Sequence, residues 1–150
     1  MKWITREKAK VDRIACPWLI RRFVDKEAVF EYLPSQTNWN ELQQKLGSSG
    51  YVYDVPDCLL GHHGEECSFD AIIRHFKLTD PALLLMAKIV RSADTSNKSH
   101  AQEGFGLEAI ADGFRRISKD DFENQRLQFP VYEALYAYCQ AKIEAVNTQR

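Results

Sequence analysis

Five prolines punctuate this chain, and each marks a change in its apolar pattern. Proline fixes φ and has no N–H, so it suits the first turn of a helix or the end of a strand and disrupts the interior of either. Pro17 precedes Trp18, Leu19, Ile20, Phe23 and Val24, which cover one broad helical face. This predicts a helix that opens at Pro17 with Cys16 as its cap; a longer helix from Asp12, kinked at Pro17, is the alternative. Pro34 stops a strand over residues 28–33, Pro56 closes another over residues 50–55, and Trp3-Ile4-Thr5 gives a third short one. Trp39, Leu42 and Leu46 stand at helical spacing before Gly47, a good C-cap. Ser68 caps a helix through Ile72, Ile73 and Phe76, with Asp70 in its first turn. Asp80-Pro81 opens the next, which runs through Leu84, Ile89 and Val90. Leu107, Ile110, Ala111, Phe114 and Ile117 form one more helical stripe, and Pro130 opens the last helix through Val131, Leu135 and Tyr138. The predicted fold is α+β and mostly helical, with five or six helices packed on a small two- or three-stranded sheet.

With 150 residues, 45% of them apolar and 27% charged, residues 1–150 have the size and composition of a single domain that needs no disulfide to hold its core. Basic and acidic side chains number 20 and 21, for a formal net charge of −1. No global basic field exists to hold nucleic acid, so DNA binding would need a local patch. Residues 1–10 lack the apolar core of a signal peptide, and no apolar run approaches the roughly 20 residues that span a bilayer. A cytoplasmic protein without a membrane partner is expected. Cys16, Cys58, Cys67 and Cys139 are then thiols rather than bridges, and none forms a C-x-x-C pair.

Three segments could carry chemistry. The densest is Gly61-His62-His63-Gly64-Glu65-Glu66-Cys67, followed by Asp70, which offers nitrogen, sulfur and oxygen donors to a transition ion within ten residues. Adjacent histidines point apart on regular backbone, so one of the pair is expected to ligate. The alternative is a polar loop whose His62 caps the following helix. The second is Cys16: a thiol at a helix N-terminus near Arg13, Arg21 and Arg22 is stabilised as thiolate, giving a nucleophile or reductant. Its alternative is a small buried residue beside Trp18. The third is Ile89-Val90-Arg91-Ser92-Ala93-Asp94-Thr95, where Arg91 could hold an oxyanion and Asp94 a metal, or the two could pair and tie down a helix end. No Walker loop, G-x-G-x-x-G, G-x-S-x-G, H-E-x-x-H or basic recognition helix occurs, which argues against the common NTPase, dehydrogenase, hydrolase and repressor classes.

Residues 11–25 (VDRIACPWLIRRFVD), 53–73 (YDVPDCLLGHHGEECSFDAII) and 89–95 (IVRSADT), after an opening WITRE, resemble the successive blocks of the C-terminal domain of the bacterial chromate-resistance ChrB family. The resemblance implies a domain that binds a metal, an oxyanion or both. Full-length members look like regulators with a separate N-terminal DNA-binding region, so no direct nucleic-acid contact is expected from this chain. The matching positions are Asp12, Arg13, Cys16, Arg21, Arg22, Asp54, His62, Cys67, Asp70, Arg91 and Asp94. Among them the resemblance implies metal donors at His62, Cys67, Asp70 and Asp94 for a divalent ion such as Zn, Fe or Mn. It implies guanidiniums at Arg13, Arg21, Arg22 and Arg91 for chromate or sulfate, both tetrahedral dianions suited to arginine forks. Thiols reduce chromate, which gives Cys16 and Cys67 a catalytic role in a second reading, a metal- or thiol-dependent oxidoreductase. A third reading is a structural interaction module.

Overall fold

The computed structural model describes residues 1–149, and its order of elements is βαβαβ followed by four helices. The three strands are β1 (Lys2–Arg6), β2 (Val29–Leu33) and β3 (Gly50–Val52). They form one sheet in the order β2-β1-β3, with both pairings parallel and Trp3 registered against Phe30 on one side and Tyr51 on the other. β1 therefore has no free edge, and Trp3, Ile4 and Thr5 are all buried. Parallel strands need crossovers, which α1 (Asp12–Leu19) and α2 (Trp39–Leu46) supply.

The remaining helices are α3 (Ser68–His75), α4 (Pro81–Asp94), α5 (Glu103–Ile117) and α6 (Asp121–Thr148). α4 packs on both α5 and α6, and α6 packs on α1. Leu83, Met86, Ile89 and Val90 of α4 are buried among Trp18, Leu107, Ala111, Tyr132 and Tyr136. The α+β, mostly helical prediction holds, and no described helix is long and apolar enough to cross a membrane. The helix start read at Asp80-Pro81 also holds, the Asp80 side chain accepting from the Ala82 N–H at 2.8 Å, and α2 is capped by Asn38, whose side chain accepts from the Glu41 N–H at 3.1 Å.

β3 ends at Val52 where a strand to Val55 was expected, Tyr53 making only an isolated bridge to Leu60, and three helix boundaries also differ from expectation. Pro17 lies inside α1, which starts at Asp12 as in the longer alternative. Proline cannot donate to the carbonyl four residues back, and the Tyr32 hydroxyl takes that carbonyl, of Arg13, at 3.1 Å. The helix then widens into a π turn over Ile20–Val24. Pro130 likewise lies within α6 instead of opening it; the side chain of Asp120 caps that helix by accepting from the Glu123 N–H at 2.8 Å. Ser68 is the first residue of α3 rather than its cap, a position taken by Cys67.

Candidate metal centre

In parallel sheets, loops at the carboxyl ends of the strands converge on one edge, and ligand sites gather there. The β1–α1 segment and the loop after β3 meet in this way around a cavity of 510 Å³. Asp12 opens α1, Asp54 follows β3, Asp94 ends α4, and His62 comes from the loop before α3. One ligand atom from each of the four lies within 4.8 Å of all the others.

Each carboxylate is held by the backbone or a neighbouring side chain. Asp12 Oδ2 accepts the Ser68 N–H at 2.7 Å, the first turn of α3, where exposed N–H groups favour an anion. Asp94 Oδ1 accepts the Asp12 N–H at 3.2 Å, so the ends of α1 and α4 are pinned together. Asp54 accepts the Ser68 hydroxyl on one oxygen at 2.6 Å and Arg13 Nε on the other at 3.0 Å. His62 Nε2 sits among them, 2.9 Å from Asp94, 3.3 Å from Asp54 and 3.6 Å from Asp12.

The loop is shaped to deliver that imidazole. Gly61 packs so closely that a Cβ would meet the Val55 carbonyl oxygen at 3.1 Å. Gly64, at φ +63°, turns the chain between His63 and Glu66, whose backbones bond each other twice at 3.1 Å. His63 is not part of the cluster, and its Nε2 lies against the Leu59 carbonyl at 2.9 Å. Left-handed backbone also gathers at the cavity: Lys8, Asp54 and Asp57, all with positive φ, line it. Such conformations are costly outside glycine and concentrate at functional sites.

The electrostatics follow from burial. Asp12 is 1% exposed, and desolvation together with Asp94 and Asp54 raises its carboxyl well above the usual range. Donating hydrogen bonds to Asp54 and Asp94 pushes His62 up to about 10, so the imidazolium is the cation among the carboxylates. Three carboxylates with one imidazole form an oxygen-rich set suited to Mn²⁺, Fe²⁺ or Zn²⁺.

The structure gathers His62 and Asp94 from the expected metal donors, together with Asp12 and Asp54, but leaves Cys67 and Asp70 outside. Asp70 is engaged by Arg91 through two bonds of 2.8 and 2.9 Å and accepts the Cys67 N–H at 3.0 Å. Cys67 is fully buried, with its thiol directed at Asp70 at 3.3 Å. Burial and the neighbouring Asp12 push both Cys16 and Cys67 upward, the opposite of an activated thiolate. Cys16 also lost its helix N-terminus when α1 proved to begin at Asp12, and it sits fully buried with Sγ 3.7 Å from Asp12.

The four arginines expected to hold one oxyanion do not converge. Only Arg13 lines the cavity, and it pairs with Asp54. Arg91 is committed to Asp70. Arg21 donates to the Ala28 carbonyl at 3.1 Å and lies over Phe30, while Arg22 pairs with Glu133 at 3.5 Å. Both border a separate apolar groove with Trp18 and Phe129. Asp12 and Asp54 stand out in the sequence only as positions that match the family's blocks, without a metal role. Their signal is positional, since each lies just beyond the carboxyl end of a strand, and it needs the parallel sheet to be read.

The segments that build this centre are contained in a match to the family described as "ChrB, C-terminal domain", which covers residues 3–139. The chain belongs to that family. A ChrB relative, "Protein ChrB" of Cupriavidus metallidurans, is 30% identical over 139 residues, which is 91% of this chain. The chain spans 40% of that relative's length. No solved structure matches.

Proposed function

We propose that this ChrB domain binds one divalent first-row ion through Asp12, Asp54, His62 and Asp94 and presents it to a small oxyanion, as the ligand-handling part of a chromate-resistance protein. The supporting observation is the convergence of four ligand atoms from four separate segments within 4.8 Å. Bringing three carboxylates together, one of them fully buried, is unfavourable without a cation, and a divalent ion satisfies them better than one imidazolium. His62 then becomes a neutral ligand. Arg13 would stay on Asp54, orienting that carboxylate from outside the metal's shell. The association of the ChrB family with chromate resistance supplies the oxyanion class. Thiol chemistry has no part in this reading, because Cys16 and Cys67 are buried and hard to ionise.

The test is calorimetric titration of chelator-treated protein with Mn²⁺, Fe²⁺ and Zn²⁺. One equivalent of at least one ion should bind, and His62→Ala should weaken it at least about tenfold, as expected for a lost ligand. Folded protein that takes up none of the three ions would overturn the proposal.

A further inference from the structure

The carboxylates of the centre do not account for the charge around it. Arg6 from the end of β1, Lys8 from the β1–α1 loop and Arg115 from α5 line the same cavity. Among the described residues none of the three makes an ion pair, whereas their neighbours do: Lys10 with Glu108, Arg13 with Asp54 and Arg116 with Asp112. They are also crowded. Repulsion from Arg13, then burial, then Arg115 lower the pKa of Arg6 against the pull of Asp54. Lys8 is held at φ +63° by Asp121, which accepts its N–H at 2.9 Å and that of Ala9 at 2.7 Å. Unpaired cations kept close together on constrained backbone repel one another, and a bound anion removes that cost.

The charge balance indicates what kind of anion. On the metal reading above, on which this step rests, the divalent ion and Arg13 together neutralise the three carboxylates. Asp57 is the one other acid in the cavity lining, and Lys10 is engaged by Glu108. Arg6, Lys8 and Arg115 then leave a surplus that a dianion matches. The lining has no aromatic side chain on which a base or ring could stack, so the ligand is compact. A contiguous cavity of 190 Å³ shares Arg6, Lys8 and Arg115 and adds Ser35 and Glu7. We propose that Arg6, Lys8 and Arg115 form a second subsite, beside the metal centre, for a tetrahedral dianion of the sulfate, phosphate or chromate class.

The experiment is titration of the full chain with sulfate, phosphate and chromate, each against chloride at matched ionic strength, before and after loading with Mn²⁺. One dianion should bind per chain, more tightly once Mn²⁺ is present, and the three arms identify which dianion is preferred. Arg6→Gln and Arg115→Gln should each weaken it by about tenfold or more, the scale of one charge-assisted bond. Arg116→Gln, one residue further along α5 but already paired with Asp112, should leave binding unchanged. Arg115 is exposed, so its variant tests the subsite even if Arg6→Gln fails to fold. Wild-type affinity in Arg115→Gln, or dianion binding no different from chloride, overturns the proposal. Absence of Mn²⁺ binding with Arg115-dependent dianion binding intact would count against the metal centre alone and support this subsite.

Discussion

Replacing Arg91 by alanine should cost stability and spare the metal. Arg91 Nε and Nη2 bond Asp70 at 2.9 and 2.8 Å, and Asp70 is only 9% exposed. Without Arg91, the carboxylate keeps only the Cys67 N–H and thiol as donors in a largely dry setting. Breaking one side of a buried pair costs ~3–5 kcal/mol, and the partial exposure of Arg91 places this one at the lower end, ~3 kcal/mol. For a chain of this length that lowers Tm by roughly 6–12 °C. Urea denaturation followed by circular dichroism reads the loss, and a Mn²⁺ titration of the folded variant should match wild type. A loss under about 1 kcal/mol, the scale of a surface pair, would refute the reasoning, as would loss of metal from a stably folded variant.

Four further outcomes follow from contacts in the structure. Asp94→Asn should abolish tight metal uptake at little cost in stability, while Cys67→Ala should leave metal uptake unchanged, both read by calorimetry. Metal uptake at pH 7 should release protons, because His62, pushed up to about 10, carries one in the metal-free chain and must lose it to ligate; titrations in buffers of differing ionisation enthalpy would expose a release-free uptake. Gly104→Ala should destabilise by ~1–3 kcal/mol in urea melts, because its Cβ would collide with Ser92 of α4, whose carbonyl carbon lies at 2.8 Å; an unchanged midpoint would mean that α4 and α5 separate freely.

Much of the fold was legible because local chemistry and tertiary packing agree. Asn38, Asp80 and Gly47 punctuate α2 and α4 where their side chains or backbone freedom require. Pro17 and Pro130 misled because proline's lost bond is tolerable where a tertiary donor or an exposed turn takes up the slack; the Tyr32 hydroxyl, fifteen residues beyond Pro17, is invisible to any local pattern. The same limit applied to the centre. His62 and Asp94 stood out in polar segments. Asp12 and Asp54 stood out only as positions matching the family's blocks, and Cys67 and Asp70 looked like donors because they lie close to His62 in sequence and match those blocks. On the folded chain, the start of α3 turns Ser68 toward Asp12 and Asp54 and turns Asp70 toward Arg91. The basic rim of Arg6, Lys8 and Arg115 joins residues over a hundred positions apart, so no spacing rule reveals it.

Crystals of the protein soaked with Mn²⁺ would test the central claim most directly, through anomalous scattering collected near the manganese edge. A single strong peak is predicted within about 2.0–2.3 Å of His62 Nε2 and of carboxylate oxygens from Asp12, Asp54 and Asp94. A peak ligated instead by Cys67 and Asp70, or no peak among the three aspartates, would contradict it.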